Sequence, residues 1–411
     1  MSPEPSQSRQ RRPDDSGNPD AIALLRDEIA RDGAITFARF MEVAIYHPDF
    51  GYYRTPIRRP GRGGDFITSP EVHPFFGFTI ADQLAGMWDR LDRPDPFVVR
   101  EYGPGVGGLA YDIIAGLSVH HPEVREALRY RLRDVNRHRM AEAMSAMIEV
   151  GLDHIVAVED PARETAIEPI TGVVLANEVA DALPVHALRW TGDELQEQWV
   201  VWDASTEWFA WDTRALSPEV FATDPISWLE RQGVDVAAWP PGSRLAWSPA
   251  IDDWVGEIDR GLTRGYGLVI DYGYPAQELY RDHRLDGTIR AYAGHTVSDD
   301  PFQRIAQQDV TAHVDFTRIT DAAAQAGMKS TPVVSQGHFL SQCGLGQHLV
   351  AMQQDPETGA AEYYRAQAAV MRLIEPAGLG RFLVVGLAKD APIDPPLLGF
   401  APDDLPDALR F

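Results

Sequence analysis

The residues best suited to chemistry in this chain are Glu101-Tyr-Gly-Pro-Gly-Val-Gly-Gly-Leu109, set between a strand-like stretch, Phe97 to Tyr102, and a helical one, Leu109 to Leu117. Gly103, Gly105 and Gly107 let the backbone turn tightly and approach a ligand, and the helix N-terminus that follows favours polar or anionic groups. Two cofactor classes fit. Gly103, Gly105 and Gly108 satisfy the dinucleotide pattern G-x-G-x-x-G, whereas Glu101 with Gly103, Gly105 and Gly107 reads E-x-G-x-G-x-G. The second places an acid near the cationic methionine portion of S-adenosyl-L-methionine. A pyrophosphate would be repelled by that carboxylate, so the methyl donor is preferred over a dinucleotide or a plain structural turn. A second acid is expected at the end of the next strand, where it would accept hydrogen bonds from ribose hydroxyls. Asp134, in Tyr130 to Val135, has that place. Its other reading is a helix-start residue, a role Asn136 could fill instead.

These residues need a scaffold that brings strand ends together. Strand-like stretches at 97–102, 130–135, 154–158, 172–177 and 266–271 alternate with helical ones at 109–117 and 137–150, the rhythm of a mostly parallel sheet with helices on both faces. Helical spacing also marks 21–30, 35–43 and 316–326, and strand character marks 330–335 and 382–388. The predicted organisation is a disordered tail (1–18), an N-terminal helical and lid region (19–95), the first part of an α/β Rossmann-like core (96–190), an insertion (191–260), the second part of the core (261–390) and a Pro-rich C-terminal tail (391–411). The insertion carries 14 Asp+Glu against 4 Arg, with eight of the ten tryptophans. Its first half reads as a hairpin turning near Ser205-Thr206.

A set of motifs, in order along the chain, resembles the MidA-type S-adenosylmethionine-dependent methyltransferases, a family that includes the mitochondrial assembly-factor methyltransferases of respiratory complex I. They are Tyr46-His-Pro-Asp-Phe-Gly-Tyr-Tyr53, Gly64-Asp-Phe-Ile-Thr-Ser-Pro-Glu71, the glycine turn, Ala176-Asn-Glu-Val-Ala-Asp-Ala-Leu-Pro-Val185, Ile270-Asp-Tyr-Gly-Tyr274, Asp309-Val-Thr-Ala-His-Val-Asp-Phe316 and Ser335-Gln-Gly-His-Phe-Leu340. The resemblance implies a class I methyltransferase core with an N-terminal helical extension and an acidic Trp-rich insertion. It implies S-adenosyl-L-methionine as cofactor, and arginine methylation in a protein acceptor, such as a respiratory complex subunit; the alternatives are O- or N-methylation of a small molecule or peptide, and a cofactor-binding assembly factor without catalysis. By position, Thr68, Ser69, Pro70 and Asn177 would join Glu101, Gly103, Gly105, Gly107 and Asp134 at the cofactor. Asn177 and Glu178 would stand against the reacting methyl group. The chain departs from the family pattern at Val179-Ala180, where aromatics are usual, and at Gln198, Ala246 and Ala306 to Asp309, all on the acceptor side.

Methyl transfer is an in-line displacement that asks the protein chiefly for alignment. A guanidinium is a cation and a poor nucleophile, and carboxylates can orient it and accept its proton. Glu178 and Asp181, with Asn177, are the candidate catalytic residues; Asp271, Tyr272 and His313 are candidates on the substrate side. Asp181 and Asp271 could instead only bond backbone, and His313 with Asp315 could form a structural pair. No G-x-S-x-G elbow suggests a hydrolase, and the histidine spacing suggests no metal site.

Composition sets outer bounds. Of 411 residues, 37 are Lys+Arg and 61 Asp+Glu, a formal charge of −24, which disfavours nucleic acid or an anionic membrane surface as partner. Cys343 is the one cysteine, which excludes an internal disulfide framework and suits a reducing compartment. No run approaches the roughly 18 apolar residues of a membrane span, and Arg11-Arg12 is followed by Pro13-Asp-Asp15 rather than an apolar export segment. A cytoplasmic protein without membrane insertion is the expectation. The Trp-rich segment has two readings: recognition of a cationic acceptor through carboxylates and aromatic faces, or a core of its own.

Overall fold

Phe97–Tyr102 is buried at every position, as a strand covered on both faces must be, so its charged members are paired. Arg100 is fully buried and grips Glu159 with bonds of 2.7 and 2.9 Å, while the carbonyls of Gly261 and Glu168 take further guanidinium protons. The computed structural model describes residues 16–55, 68–161, 166–217, 220–221, 223–281, 286–293 and 296–402. The basic stretch with Arg58, Arg59 and Arg62, residues 1–15 of the expected N-terminal tail and residues 403–411 of the C-terminal one lie outside them.

The central strand runs parallel to Leu128–Arg133 and Ile170–Asn177 on its two sides. Val156–Glu159 lies beyond the first of these and Leu262–Asp271 beyond the second, both parallel. Leu383–Lys389 then adds antiparallel to Leu262–Asp271, with Lys329–Ser330 and Val334–Ser335 pairing on its far side. The chain winds outward in one direction from Phe97–Tyr102 and resumes in the other at Ile170–Asn177. The reversal point therefore falls between these two strands, where open α/β sheets hold ligands beyond the strands' carboxyl ends. This is the class I methyltransferase fold.

Alternation along the strands separates two cores. Val99, Val173 and Leu175 face the helices Phe75–Arg90 and Gly108–His120. Val98, Val174 and Ala176 face Ala250–Arg260 and Phe316–Gln325. Phe75–Arg90 has no clear amphipathic stripe because the sheet and the C-terminal helices bury it nearly all round, and periodicity alone does not find it.

The insertion has different limits from those expected. Its antiparallel sheet begins before residue 191, with His186–Trp190 between Leu195–Asp203 and Arg244–Trp247, and Ile35–Thr36 from the N-terminal region pairs with Trp199 and Val200. Leu195–Asp203 and Trp208–Ala215 form the hairpin, turning at 204–207. At the other end, Ala250–Arg260 packs on the main sheet through Ile251, Trp254, Val255 and Ile258. Trp228, Trp239, Trp247 and Trp254 are buried, while Trp202, Trp208 and Trp211 are half-buried against the core under the helix Phe37–Tyr46, Trp211 beside Phe37 and the other two beside Phe209. Seven of the insertion's eight tryptophans therefore belong to or border a core.

Both terminal expectations also change. Asn18 accepts from the N–H groups of Asp20 and Ala21 and caps the helix Pro19–Asp32, so structure begins within the expected tail. The start of the Pro-rich C-terminal stretch folds back, with Leu397 and Phe400 buried and Gly399 N–H donating to Gln83 Oε1 at 2.8 Å. Its prolines break any helix or strand period while leaving two apolar anchors to dock.

Candidate active site

The glycine turn leaves the central strand with Gly103, Gly105 and Gly107 at φ 63, 56 and 84°, the left-handed region that side chains resist. The three serve different ends. A Cβ on Gly103 would meet Val179 Cγ2 at 3.0 Å, and one on Gly107 would meet Met147 Cε at 3.0 Å, so these pack against protein. A Cβ on Gly105 would meet nothing within 4 Å, which leaves backbone facing open space. Beneath the turn, Glu101 is buried and accepts a 2.7 Å bond from Tyr130 Oη. Burial pushes its carboxyl up to about 7, against the opposing effect of that bond. At the next strand end, Asn136 caps the helix Arg137–Glu149 by accepting from His138 and Arg139 N–H groups. Asp134, which accepts from Asn136 N–H at 2.8 Å, is thereby left out of capping.

Across the reversal point the chain makes a second, tighter turn. Glu178 adopts φ 55°, a strained conformation for a side-chain-bearing residue, of the kind that clusters at functional sites. Its N–H donates to Ile270 O at 2.8 Å. The next three N–H groups, of Val179, Ala180 and Asp181, converge on Asp271 Oδ2 at 3.1, 2.9 and 3.3 Å, and Tyr272 N–H meets Oδ1 at 2.8 Å. Asp271 is fully buried. Its oxygens hold backbone, so it shapes the turn rather than presenting a free carboxylate to a substrate. The turn carries two more acids: Asp181, buried and raised to about 6 chiefly by desolvation, and Glu178, raised to about 8 by desolvation and then by Asp181. Neither is in a salt bridge with a basic side chain among the described residues. Asn177 Nδ2 donates to Glu178 Oε1 at 3.2 Å, while its buried Oδ1 has no hydrogen-bond partner among the described residues.

Residues 79–334 match the family model described as "Putative S-adenosyl-L-methionine-dependent methyltransferase". The chain belongs to this family. The methyltransferase is similar to the Drosophila melanogaster protein arginine methyltransferase NDUFAF7 homolog, mitochondrial, at 29% identity over 79% of this chain and 75% of that protein. It is 26% identical to the Homo sapiens protein arginine methyltransferase NDUFAF7, mitochondrial, over 78% of this chain and 72% of that one. A Burkholderia thailandensis superfamily member, solved bound to S-adenosyl-homocysteine, superposes with a TM-score of 0.80 at 30% identity, covering 95% of this chain and 99% of that one. The methyltransferase therefore uses S-adenosyl-L-methionine. The relatives' names carry a mitochondrial location, which overturns the cytoplasmic expectation. Cysteine usage reports redox conditions and not an address. No helix among the described residues is long and apolar enough to cross a membrane.

The methyltransferase's own residues fit the donor: an open-faced glycine, a buried acid at the strand end, Asp134 released from helix capping, and a buried Asn177 oxygen without a partner among the described residues. The family-derived lid residues divide. Thr68 caps the short helix Ser69–Val72 in a reciprocal box with Glu71, and Pro70 lies in its first turn, bordering a cleft of about 830 Å³. Ser69 is fully buried, its N–H donating to Glu178 and its hydroxyl to Gln336. Tyr272 is half-buried, donates to Thr311 Oγ1 and packs edge-on against His313, which also lies beside Tyr274. Asp315 caps Phe316–Gln325 and accepts from Tyr280 Oη.

Sequence reasoning names no role for several residues that complete this end of the sheet. Tyr46 Oη donates to Ala182 O at 3.0 Å, Tyr53 Oη to the fully buried Asp309 at 2.7 Å, and Arg54 to the carbonyls of Tyr46 and Val135. The Tyr46–Arg54 segment is thus tied to the acidic turn at Ala182 and to the strand end at Val135, beside Asp134. Its only signal in the sequence is the aromatic motif itself.

Proposed function

We propose that this methyltransferase methylates a guanidinium nitrogen of an arginine in a protein. The carrying observation is the pair of acids, Glu178 and Asp181, on one strained turn at the end of Ile170–Asn177, raised by burial and without a basic partner among the described residues. Two desolvated carboxylates crowded together hold a proton between them at neutral pH and favour a cation that lets both ionise. A guanidinium is such a cation, and its fork suits carboxylate geometry. The relatives named as protein arginine methyltransferases support this acceptor class.

The cofactor supplies an electrophilic methyl group on a sulfonium. Glu101, the Gly103–Gly107 backbone, Asp134 and Asn177 would hold it at the reversal point. Glu178 and Asp181 would orient the guanidinium, and Glu178 would take the proton that the nitrogen loses as its new bond to carbon forms. Tyr272 and His313 would line the approach. Asp271 would keep the turn in shape.

The test is transfer of labelled methyl from S-adenosyl-L-methionine into a lysate, followed by mass spectrometry of the labelled species. Label on protein arginine is the expected result. Label confined to small molecules, or to another side chain, overturns the acceptor assignment.

A further inference from the structure

The motif Ser335-Gln-Gly-His-Phe-Leu340 has no part in the roles above. Ser335 caps the helix Gln336–Gln342 through His338 N–H, which leaves the side chain of the fully buried Gln336 for other use. That amide meets two partners of different character: Ser69 Oγ at 3.0 Å and the carbonyl oxygen of Leu373 at 3.1 Å. A carbonyl can only accept, so the amide nitrogen must face Leu373. The amide oxygen then faces Ser69, whose hydroxyl must donate. Ser69 is itself fully buried, and its backbone N–H donates to Glu178 Oε1 at 3.3 Å, the oxygen that Asn177 Nδ2 also meets. Both donors fall on Oε1, which leaves Oε2 for proton transfer.

We infer that Gln336 is a positioning residue for the Glu178 carboxylate, acting through Ser69. The chain of bonds runs from the helix Ala360–Ile374, at Leu373 O, through Gln336 and Ser69 to the acid on the strained turn. It accounts physically for two motifs separated by more than half the chain. The inference rests on Glu178 as the proton acceptor. The groups facing Glu178 are Asp181 from its own turn, Glu71 from Ser69–Val72 and Asp271 from Leu262–Asp271, all carboxylates, with the Ser69 N–H opposing them. Loosening Ser69 weakens the one contact in this set from outside the turn that favours ionised Glu178, so the carboxyl should keep its proton to higher pH.

The experiment is a pH titration of the protonated-carboxyl infrared band in the full chain, which needs no acceptor. Wild type, Glu178→Gln, Gln336→Met, Ser69→Ala and the double variant Gln336→Met/Ser69→Ala are compared, with thermal unfolding of each. A band titrating near pH 8 in wild type should vanish in Glu178→Gln, move to higher pH in Gln336→Met and in Ser69→Ala, and move no further in the double variant. An unmoved midpoint in folded Gln336→Met, or in Ser69→Ala if the first fails to fold, overturns the inference. Labelled transfer by Glu178→Gln at the wild-type rate would instead overturn the base assignment, whatever Gln336 does. A purely structural Gln336 would lower the unfolding temperature without moving the band.

Discussion

The two sides of the active site are built differently. The proposed cofactor side is mostly one stretch, Glu101 to Asp134, made of a strand, a turn, two helices and the next strand, with Asn177 joining from across the reversal point. The proposed acceptor side gathers Glu178 and Asp181, Asp271, the Tyr46–Arg54 segment, Asp309 and Gln336 from separate parts of the chain. On the first side backbone conformation does most of the work, through three left-handed glycines. On the second, buried side chains hold one another. A local site tolerates change elsewhere and fails at its glycines; a gathered site should fail at any of its ties.

The largest separation between the sides should come from Glu178→Gln. It removes the proposed proton acceptor while keeping the oxygen that Ser69 and Asn177 hold, so transfer should fall about 10²–10⁴-fold with calorimetric affinity for S-adenosyl-L-methionine nearly unchanged. Gly105→Val should do the converse. It places a branched side chain at φ 56° into open space beside the turn, and cofactor affinity should fall roughly 10²-fold. The apo chain should lose only about 1–2 kcal/mol, the strain of that backbone region. Equal loss of cofactor binding in both variants would mean that the two sides are one unit.

Asp271→Ala probes the ties. Four backbone N–H groups lose their acceptor in a fully buried place, at a cost of about 3 kcal/mol or more. Relief of repulsion on Glu178 and Asp181 offsets part of this. Denaturant unfolding should show the loss, and transfer should drop about tenfold as the turn loosens, while cofactor affinity holds. If Asp271→Ala left stability intact but abolished acceptor binding, Asp271 would be a substrate contact after all.

The same contrast explains what was legible in the sequence. The glycine turn and its flanking strands announce themselves because short-range conformational demands restrict residue types at fixed spacing. Asp134 could be separated from a helix cap only because Asn136 stood two residues on. Asp271 looked like a substrate acid because strand ends suggest sites, and nothing in Ile270-Asp-Tyr-Gly-Tyr274 tells that three N–H groups from residues 179–181 arrive at it. Phe75–Arg90 escaped because burial nearly all round erases the amphipathic period. Gln336 and Ser69 were legible as parts of motifs, and their contact was not, since no local rule reports a hydrogen bond across 267 residues.

The smallest expected effect concerns the acidic sheet, whose side of the comparison is open to test. Its tryptophans do not wait for a cationic ligand. Four are buried, Arg26 lies over Trp202 at 4.8 Å and Arg214 over Trp199 at 5.1 Å, and Arg318 covers the buried Trp247 at 4.4 Å. What remains available to an acceptor is charge: Glu194 and Glu207 are exposed. Exposed acids act on a basic partner through long-range attraction, which alters encounter more than the bound state and fades with salt. Glu194→Lys with Glu207→Lys should therefore raise the acceptor KM about threefold at low ionic strength, an effect of about 0.6 kcal/mol. The difference should vanish at high salt, with cofactor affinity the same throughout. Persistence at high salt would mean that these acids touch the acceptor, and the sheet would then join the gathered side of the site.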